Sequence, residues 1–560
     1  MSQQEQMNRF AIAPQDVSVG RSIFNRNHSI KFSFNAGQLI PFYMDEVMPG
    51  DTFSINTSKV VRVQPLVTPV YDNLFLDCFY FFVPYRLLWT HWKNFMGESE
   101  KAWVPTATYS TPKIAIPSGG YNCGTIADYL GVPIGVGANS QINALPFRAY
   151  ATIANEWFRD TSTQDPLQIP MTDTTVTGVN TGTEITDVAK GGIPFTVCKY
   201  PDYFTSCLPS PQRSASPVSI AFDTSAIAPV KSWDPQTFSI TSPHSDYSGV
   251  EVAYANGSSF VAPTGNYTVS TNNEQLRLKG SVNGTSGAGS DLAFTNLGVA
   301  LSDIPAISIN EFRFAFAMQR YYEKLARGGD RYISIIKSFY GVNSPDARMQ
   351  RPEYLGGNRV PLNVSQVENV TNQSTNVEPI GSVAGLSVTG DVNSDFTQSF
   401  TEHGLVMGVC CVRYHHTYQQ GLDPIFQRST IWDYYNPTFA NVGEQPVKKK
   451  TIYFTGTASS DDATFGFQEY AADYRYKPNR IAGELRSTYS TPLDMWHFAD
   501  YYTNVPSLSM AWMKEDKAPI DRCLAVTSSV SNQLIADFYI ECHASRPMPL
   551  YSIPGLIDHH

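Results

Sequence analysis

Charge is scarce in this chain. Asp, Glu, Lys and Arg make up 16% of its 560 residues, well below the roughly 25% usual for soluble proteins. Long apolar runs are missing too. A membrane span needs about 20 consecutive apolar residues, and the longest strongly apolar run, Leu74–Pro84, is short and contains Asp77. The segment Met1–Phe10 is polar, so neither a secretory signal nor membrane insertion is expected. The eight cysteines are scattered, with no C-x-x-C pair. That excludes a four-cysteine zinc pattern and favours reduced, buried thiols over a disulfide framework. There is no Gly-Lys dipeptide, hence no P-loop, and no G-x-S-x-G elbow or H-E-x-x-H helix. The reading is therefore non-enzymatic, with no cofactor expected.

Aromatic residues are plentiful, with 31 Tyr and 32 Phe. Low charge with many aromatics is the reverse of a disordered composition. It fits a chain whose surface is buried or covered by partners. The net charge of −10 is unevenly placed. Residues 161–303 hold twelve acidic against six basic residues, whereas Phe312–Arg359 holds nine basic against four acidic. The first of these stretches is also rich in Thr, Ser, Asn and Gly, with short alternating pieces at Val250–Tyr254 and Tyr267–Ser270.

Period-two alternation puts Phe53, Ile55, Thr57, Lys59, Val61 and Val63 on one face of a strand. Tyr71–Val83 is denser and suits a strand buried on both faces, or one facing another subunit. Further β-type runs lie at Gly404–Tyr418, Thr451–Phe454, Leu524–Ser529 and Leu534–His543. Helices are predicted at Arg86–Met96, Leu145–Asp160 and Asn310–Ala326. The last carries a Ser308/Glu311 capping box, a stripe of Phe314, Met318, Tyr321, Tyr322 and Leu325 expected to pack into a core, and a Gly328-Gly329 stop. Many separated strands, few helices and no βα alternation indicate a mainly β fold, an antiparallel β-sandwich or jelly roll with long loop insertions.

Candidate chemistry is thin. His415-His416 is the most metal-like feature, with His403 a conceivable third member, but adjacent strand residues point to opposite faces and a structural role is expected. The acidic pairs Asp45-Glu46 and Asp461-Asp462 are expected to be loop charges, and Cys410-Cys411 two ordinary thiols. Lys448-Lys449-Lys450 reads as a solvated run. Residues 1–35 read as an irregular arm whose Arg9, Arg21, Arg26 and Lys31 are interleaved with Phe10, Phe24, Phe32 and Phe34. Cations with stacking rings suit loose single-strand binding or packing on neighbouring subunits. A β-sandwich carbohydrate-binding or carbohydrate-active protein is the alternative, and an enzyme of that kind would need two carboxylates on a cleft floor.

Several long motifs then stand out: Pro41–Phe53 (PFYMDEVMPGDTF), Tyr203–Gln212 (YFTSCLPSPQ), Leu325–Tyr332 (LARGGDRY), Ser344–Gly357 (SPDARMQRPEYLGG) and Arg546–Asp558 (RPMPLYSIPGLID). With these the chain resembles the major capsid proteins of the Microviridae, gokushovirus type. The resemblance implies a single viral jelly roll. It also implies pentamers within a T=1 icosahedral shell around a circular single-stranded DNA genome, assembled in a bacterial host cytoplasm. Implied partners are other copies of the chain, a small basic DNA-binding protein, a minor pilot protein and a bacterial surface receptor. An insertion that projects at the threefold axes is expected at residues 213–303, between core portions at 36–212 and 304–560. A metal at a symmetry axis is left open.

Overall fold

The computed structural model describes residues 20–99, 109–214, 309–370 and 380–551, together with residue 218 and the backbone of short strands within 231–298. The chain divides into two compact units, one of Met1–Arg213 with Tyr322–His560, the other of Ser214–Tyr321.

Ten strands of the first unit form two facing sheets. They are β1 (Ser22–Asn25), β2 (His28–Phe34), β3 (Ile40–Val47), β4 (Thr52–Val63), β5 (Leu74–Pro84), β6 (Glu353–Leu362), β7 (Val364–Glu368), β8 (Val383–Ser399), β9 (Gly404–Tyr414) and β10 (Leu534–Arg546). One sheet runs β1-β10-β4-β8-β7, with β2 pairing further along β10; the other runs β6-β5-β9-β3. Every pairing within them is antiparallel. The chain crosses repeatedly between sheets, from β3 to β4 to β5 and from β8 to β9 to β10, which is the jelly-roll path.

The alternation along β4 sets the core. Phe53, Ile55, Thr57, Lys59, Val61 and Val63 all point inward and are buried, as their spacing predicts. β5 is covered on both faces. Leu76, Cys78, Tyr80 and Phe82 fill the sandwich, while Phe81 and Val83 join a second core. That second core is capped by α1 (Leu145–Ile153), whose Leu145, Phe147, Tyr150 and Ile153 lie with Leu405, Met407 and Val409 of β9. Each such apolar side chain contributes roughly 1.5–3 kcal/mol on burial, so strands covered on both faces carry much of the unit's apolar stabilisation. A third cluster of Phe204, Tyr418, Phe465 and Trp512 anchors the long loops.

Several sequence expectations change. Residues 22–34 are not irregular, since β1 and β2 add to the edge of β10. Arg86–Met96 is no single helix: a 3-10 turn at Tyr85–Leu87 precedes a short helix at Trp92–Phe95. The Leu145–Asp160 helix is α1 continued by a π turn, Ala154–Phe158. Thr451–Phe454 and Leu524–Ser529 form no strands. The third predicted helix is α2 (Ile309–Gly328), followed by Gly329 at φ +87° and α3 (Tyr332–Tyr340). Ser308 lies outside the described residues. The core role expected for the α2 stripe is overturned, because no residue of α2 is buried.

Besides the first part of α2, the second unit is described by the backbone of short strands. Tyr247–Asn256 pairs antiparallel with Ser259–Val261 and Leu276–Val282. The Tyr267–Ser270 piece lies outside the described residues.

Candidate functional site

Exposed apolar side chains are this molecule's most distinctive surface feature. In the second unit, Phe314 of α2 is 67% and Phe316 60% exposed; in the first unit, one exposed set is Tyr332 and Tyr340 of α3. A second patch carries Ile425, Phe426, Ile431 and Trp432. Its turns are locally built. Asp423 accepts from Ile425 N at 3.0 Å ahead of Pro424, and Thr430 and Asp433 form a reciprocal capping box. Arg428 pairs with Asp473 and stacks 4.4 Å from the Tyr474 ring centre. Hydrogen-bonded turns that hold large apolar groups outward have the character of an interaction surface.

The arm residues are not brought together as one site. Arg9 lies outside the described residues. Arg21 is exposed at the start of β1. Arg26 contacts the buried Asp45 at 3.1 Å, as Arg546 does at 3.4 Å. Burial raises the Asp45 carboxyl, with the two arginines pulling the other way. Lys31 faces Asp537 across the strand pair at 3.3 Å.

The two histidines lie just beyond β9, outside any strand, and their side chains part. His415 packs its ring near Phe75 and Tyr200. His416 is fully enclosed. Its Nδ1 lies 2.9 Å from Asp500 and its Nε2 3.1 Å from Glu515. Lys199 Nζ reaches Asp500 at 3.3 Å, and the Tyr502 hydroxyl donates to Asp500 at 2.8 Å. Burial opposes a charge on His416, but Asp500 and Glu515 raise it to about 9. Each ring nitrogen is thus taken by a different carboxylate, and His403 lies instead beside Trp92. Among the described residues no group of His, Cys, Asp and Glu is arranged to hold a metal.

The other candidates are structural. Asp461 accepts from Thr455 N and Gly456 N, both at 2.9 Å. Asp462 pairs with Lys448 and Lys450, which ties down the lysine run. Glu46 accepts from the Tyr85 hydroxyl at 2.7 Å. Cys410 belongs to the sandwich core and Cys411 to the second core.

One cluster was missed from the sequence. Asp77, fully buried on β5, receives Arg359 Nε at 2.6 Å, Arg413 Nη2 at 2.5 Å and the Tyr200 hydroxyl at 2.8 Å. Both guanidinium groups lie 4.2 Å from the Tyr200 ring centre. Beside it opens a cavity of about 560 Å³ lined by Phe79, Phe81, Trp157, Arg159, Tyr354 and Arg413. The signal was Asp77 itself, an acid inside an otherwise apolar run.

The profile of the family described as capsid protein (F protein) matches residues 14–556. Capsid protein VP1 of Spiroplasma virus 4 is 36% identical over 542 residues, covering 96% of each chain. Capsid protein VP1 of Chlamydia phage 1 is 36% identical over 98% of each chain. Capsid protein VP1 of Bdellovibrio phage phiMH2K is also 36% identical, over 98% of this chain and 97% of its own.

Proposed function

This chain belongs to the phage capsid protein (F protein) family, and from that membership we propose that it is the major subunit of a T=1 icosahedral shell enclosing circular single-stranded DNA. The observation that carries this reading is α2, twenty residues long with no buried residue. A helix with an apolar stripe is stable in water when that stripe is covered, and in a shell the neighbouring copies supply the cover. Obligate interfaces are large and apolar, which accounts for the low charge and high aromatic content. The role is structural, not enzymatic.

Residues 213–303 supply the exterior projection and take part in attachment to a bacterial surface receptor. Their acidic balance suits a face turned away from the genome. Arg9, Arg21, Arg26 and Lys31 face the genome or a neighbouring subunit. The Arg359–Tyr200–Arg413 group, beside an aromatic cavity, offers the cations and rings that single strands use. The remaining phosphate charge is met by a small basic protein, and a minor pilot protein completes the virion. Assembly takes place in the host cytoplasm.

Electron microscopy of the purified protein and of particles tests this reading. Closed shells containing this chain, with single-stranded DNA in the filled ones, are expected. A protein that stays monomeric at high concentration, and particles that lack this chain, would overturn it.

A further inference from the structure

Lys59 projects from β4 into the sandwich and is 1% exposed. Its Nζ donates to Asn358 Oδ1 on β6, a strand of the opposite sheet, and lies 3.5 Å from Asp391 Oδ2 on β8. Asn358 Nδ2 donates to that same Asp391 oxygen at 2.8 Å. The registers explain the meeting. Asp391 stands directly across from Lys59 in the β4–β8 pair, and Asn358 stands across from the fully buried Cys78 in the β5–β6 pair. An amine, a carboxamide and a carboxylate therefore converge on one point between the sheets.

The surroundings disfavour charge. Burial raises the neighbouring Asp395 carboxyl even though Thr57 and Asn393 donate to it. Tyr80, fully buried, donates to or accepts from Thr57 at 2.7 Å. A fully enclosed ammonium normally needs a close, complete ion pair. Here its carboxylate is 3.5 Å away and shared with an amide. A lysine amine is a nucleophile toward a carboxamide once Asp391 takes its proton, and an amide held against it by a direct hydrogen bond has a high effective concentration.

We propose that Lys59 and Asn358 are joined by an intramolecular isopeptide bond, with Asp391 carrying the protons. The Lys59 ammonium passes one proton to the Asp391 carboxylate. The free amine attacks Asn358 Cγ and forms the Nζ–Cγ bond. Asp391 returns its proton to Asn358 Nδ2, the Cγ–Nδ2 bond breaks, and ammonia leaves. The surplus proton on Nζ passes back to Asp391, which ends protonated. Nothing is oxidised or reduced, and one ammonia is lost per chain. Asp391 already holds Asn358 Nδ2 at 2.8 Å, and closing its 3.5 Å gap to Lys59 Nζ puts the same oxygen in reach of both nitrogens for acid–base transfer. The bond ties β4 of one sheet to β6, the edge strand of the other, and closes a loop that contains the whole Ser214–Tyr321 unit.

Intact-mass measurement and tryptic mapping of the full-length protein test the proposal. The wild-type mass is expected to fall below the sequence mass by one ammonia. Trypsin should fail to cut after Lys59, and the peptides carrying Lys59 and Asn358 should appear as one branched species. Lys59→Met, Asn358→Ala and Asp391→Ala should each restore separate peptides. The wild-type map decides the matter even if these variants fold poorly. Separate Lys59 and Asn358 peptides in the wild type would overturn the proposal, including when the intact mass is one ammonia short through cyclisation at another asparagine.

Discussion

His416 Nδ1 lies 2.9 Å from Asp500 Oδ1, and both side chains are buried. Glu515 takes the other ring nitrogen at 3.1 Å, and Lys199 shares Asp500. The group links the end of β9 to loops nearly a hundred residues later in the chain.

Stability should therefore depend on pH in a set direction. His416 is raised from 6.5 to about 9 on folding. Its contribution is complete below about pH 6.5 and is lost as pH rises through about 9, a change on the order of 3 kcal/mol. Lys199 and His416, against the opposing effect of burial, hold Asp500 below its usual 3.8, so its own contribution is lost as pH falls into the acid range. Thermal melting of the unassembled protein should show a plateau near about pH 5–6 and a decline by about pH 10. His416→Gln should lower the plateau and flatten the alkaline decline. A wild-type melting temperature that does not change on going to alkaline pH would refute this assignment.

Asp77 balances two arginines with no exposure of its own. Replacing it by Asn keeps the volume and leaves the arginines facing an uncharged group. Loss of one partner of a buried pair costs about 3–5 kcal/mol; Arg359 is 45% exposed, so about 3 kcal/mol is expected after solvent screening. Urea unfolding of Asp77→Asn against wild type measures it. A midpoint within error of wild type would show that the arginines find other partners.

What was legible in the sequence was local. The period of β4, the dense run of β5 and the spacing of α1 each report burial on one or two faces of a single element. What stayed hidden was long-range. β1 and β2 become strands because β10, some five hundred residues later, offers them an edge. Nothing in residues 20–34 announces that partner. The Asp77 cluster draws Tyr200, Arg359 and Arg413 from distant parts of the chain. The stripe of α2 was visible as a stripe, but period alone does not say whether its cover comes from the same chain.

Phe314 and Phe316 stand out on α2 without being buried. Phe314→Asp with Phe316→Asp should leave the far-ultraviolet circular dichroism and the melting temperature of the single subunit near wild type. If neighbouring copies cover the helix, shell formation should be abolished, because each pair would bury unpaired carboxylates. Sedimentation of assembly mixtures reads this directly. Normal shells from the double variant would remove α2 from the interface.

Residues Ser214–Tyr321 form a compact unit of their own. Deleting 220–295 should therefore leave the jelly roll folded and shells able to form, while adsorption to host cells is lost. Adsorption assays beside electron microscopy separate the two outcomes. Shells that adsorb normally without the segment would place attachment elsewhere.

Arg26 and Arg21 differ in their surroundings, which lets a stability role be told apart from the proposed role at the genome. Arg26 faces the buried Asp45, so Arg26→Ala leaves that carboxylate with Arg546 and should lower the melting temperature by a few degrees. Arg21 is exposed just before β1, and Lys31 pairs with an exposed Asp537. Exposed pairs contribute about 0–1 kcal/mol, so Arg21→Ala with Lys31→Ala should leave stability unchanged. If these residues face the genome, the double variant should retain less DNA per particle and show a shallower salt dependence than wild type, since each cation removed takes away one phosphate neutralisation and its counterion release. Absorbance ratios of purified particles measure retention across a salt series. Full retention at every salt concentration would assign the pair to subunit contacts or to plain surface.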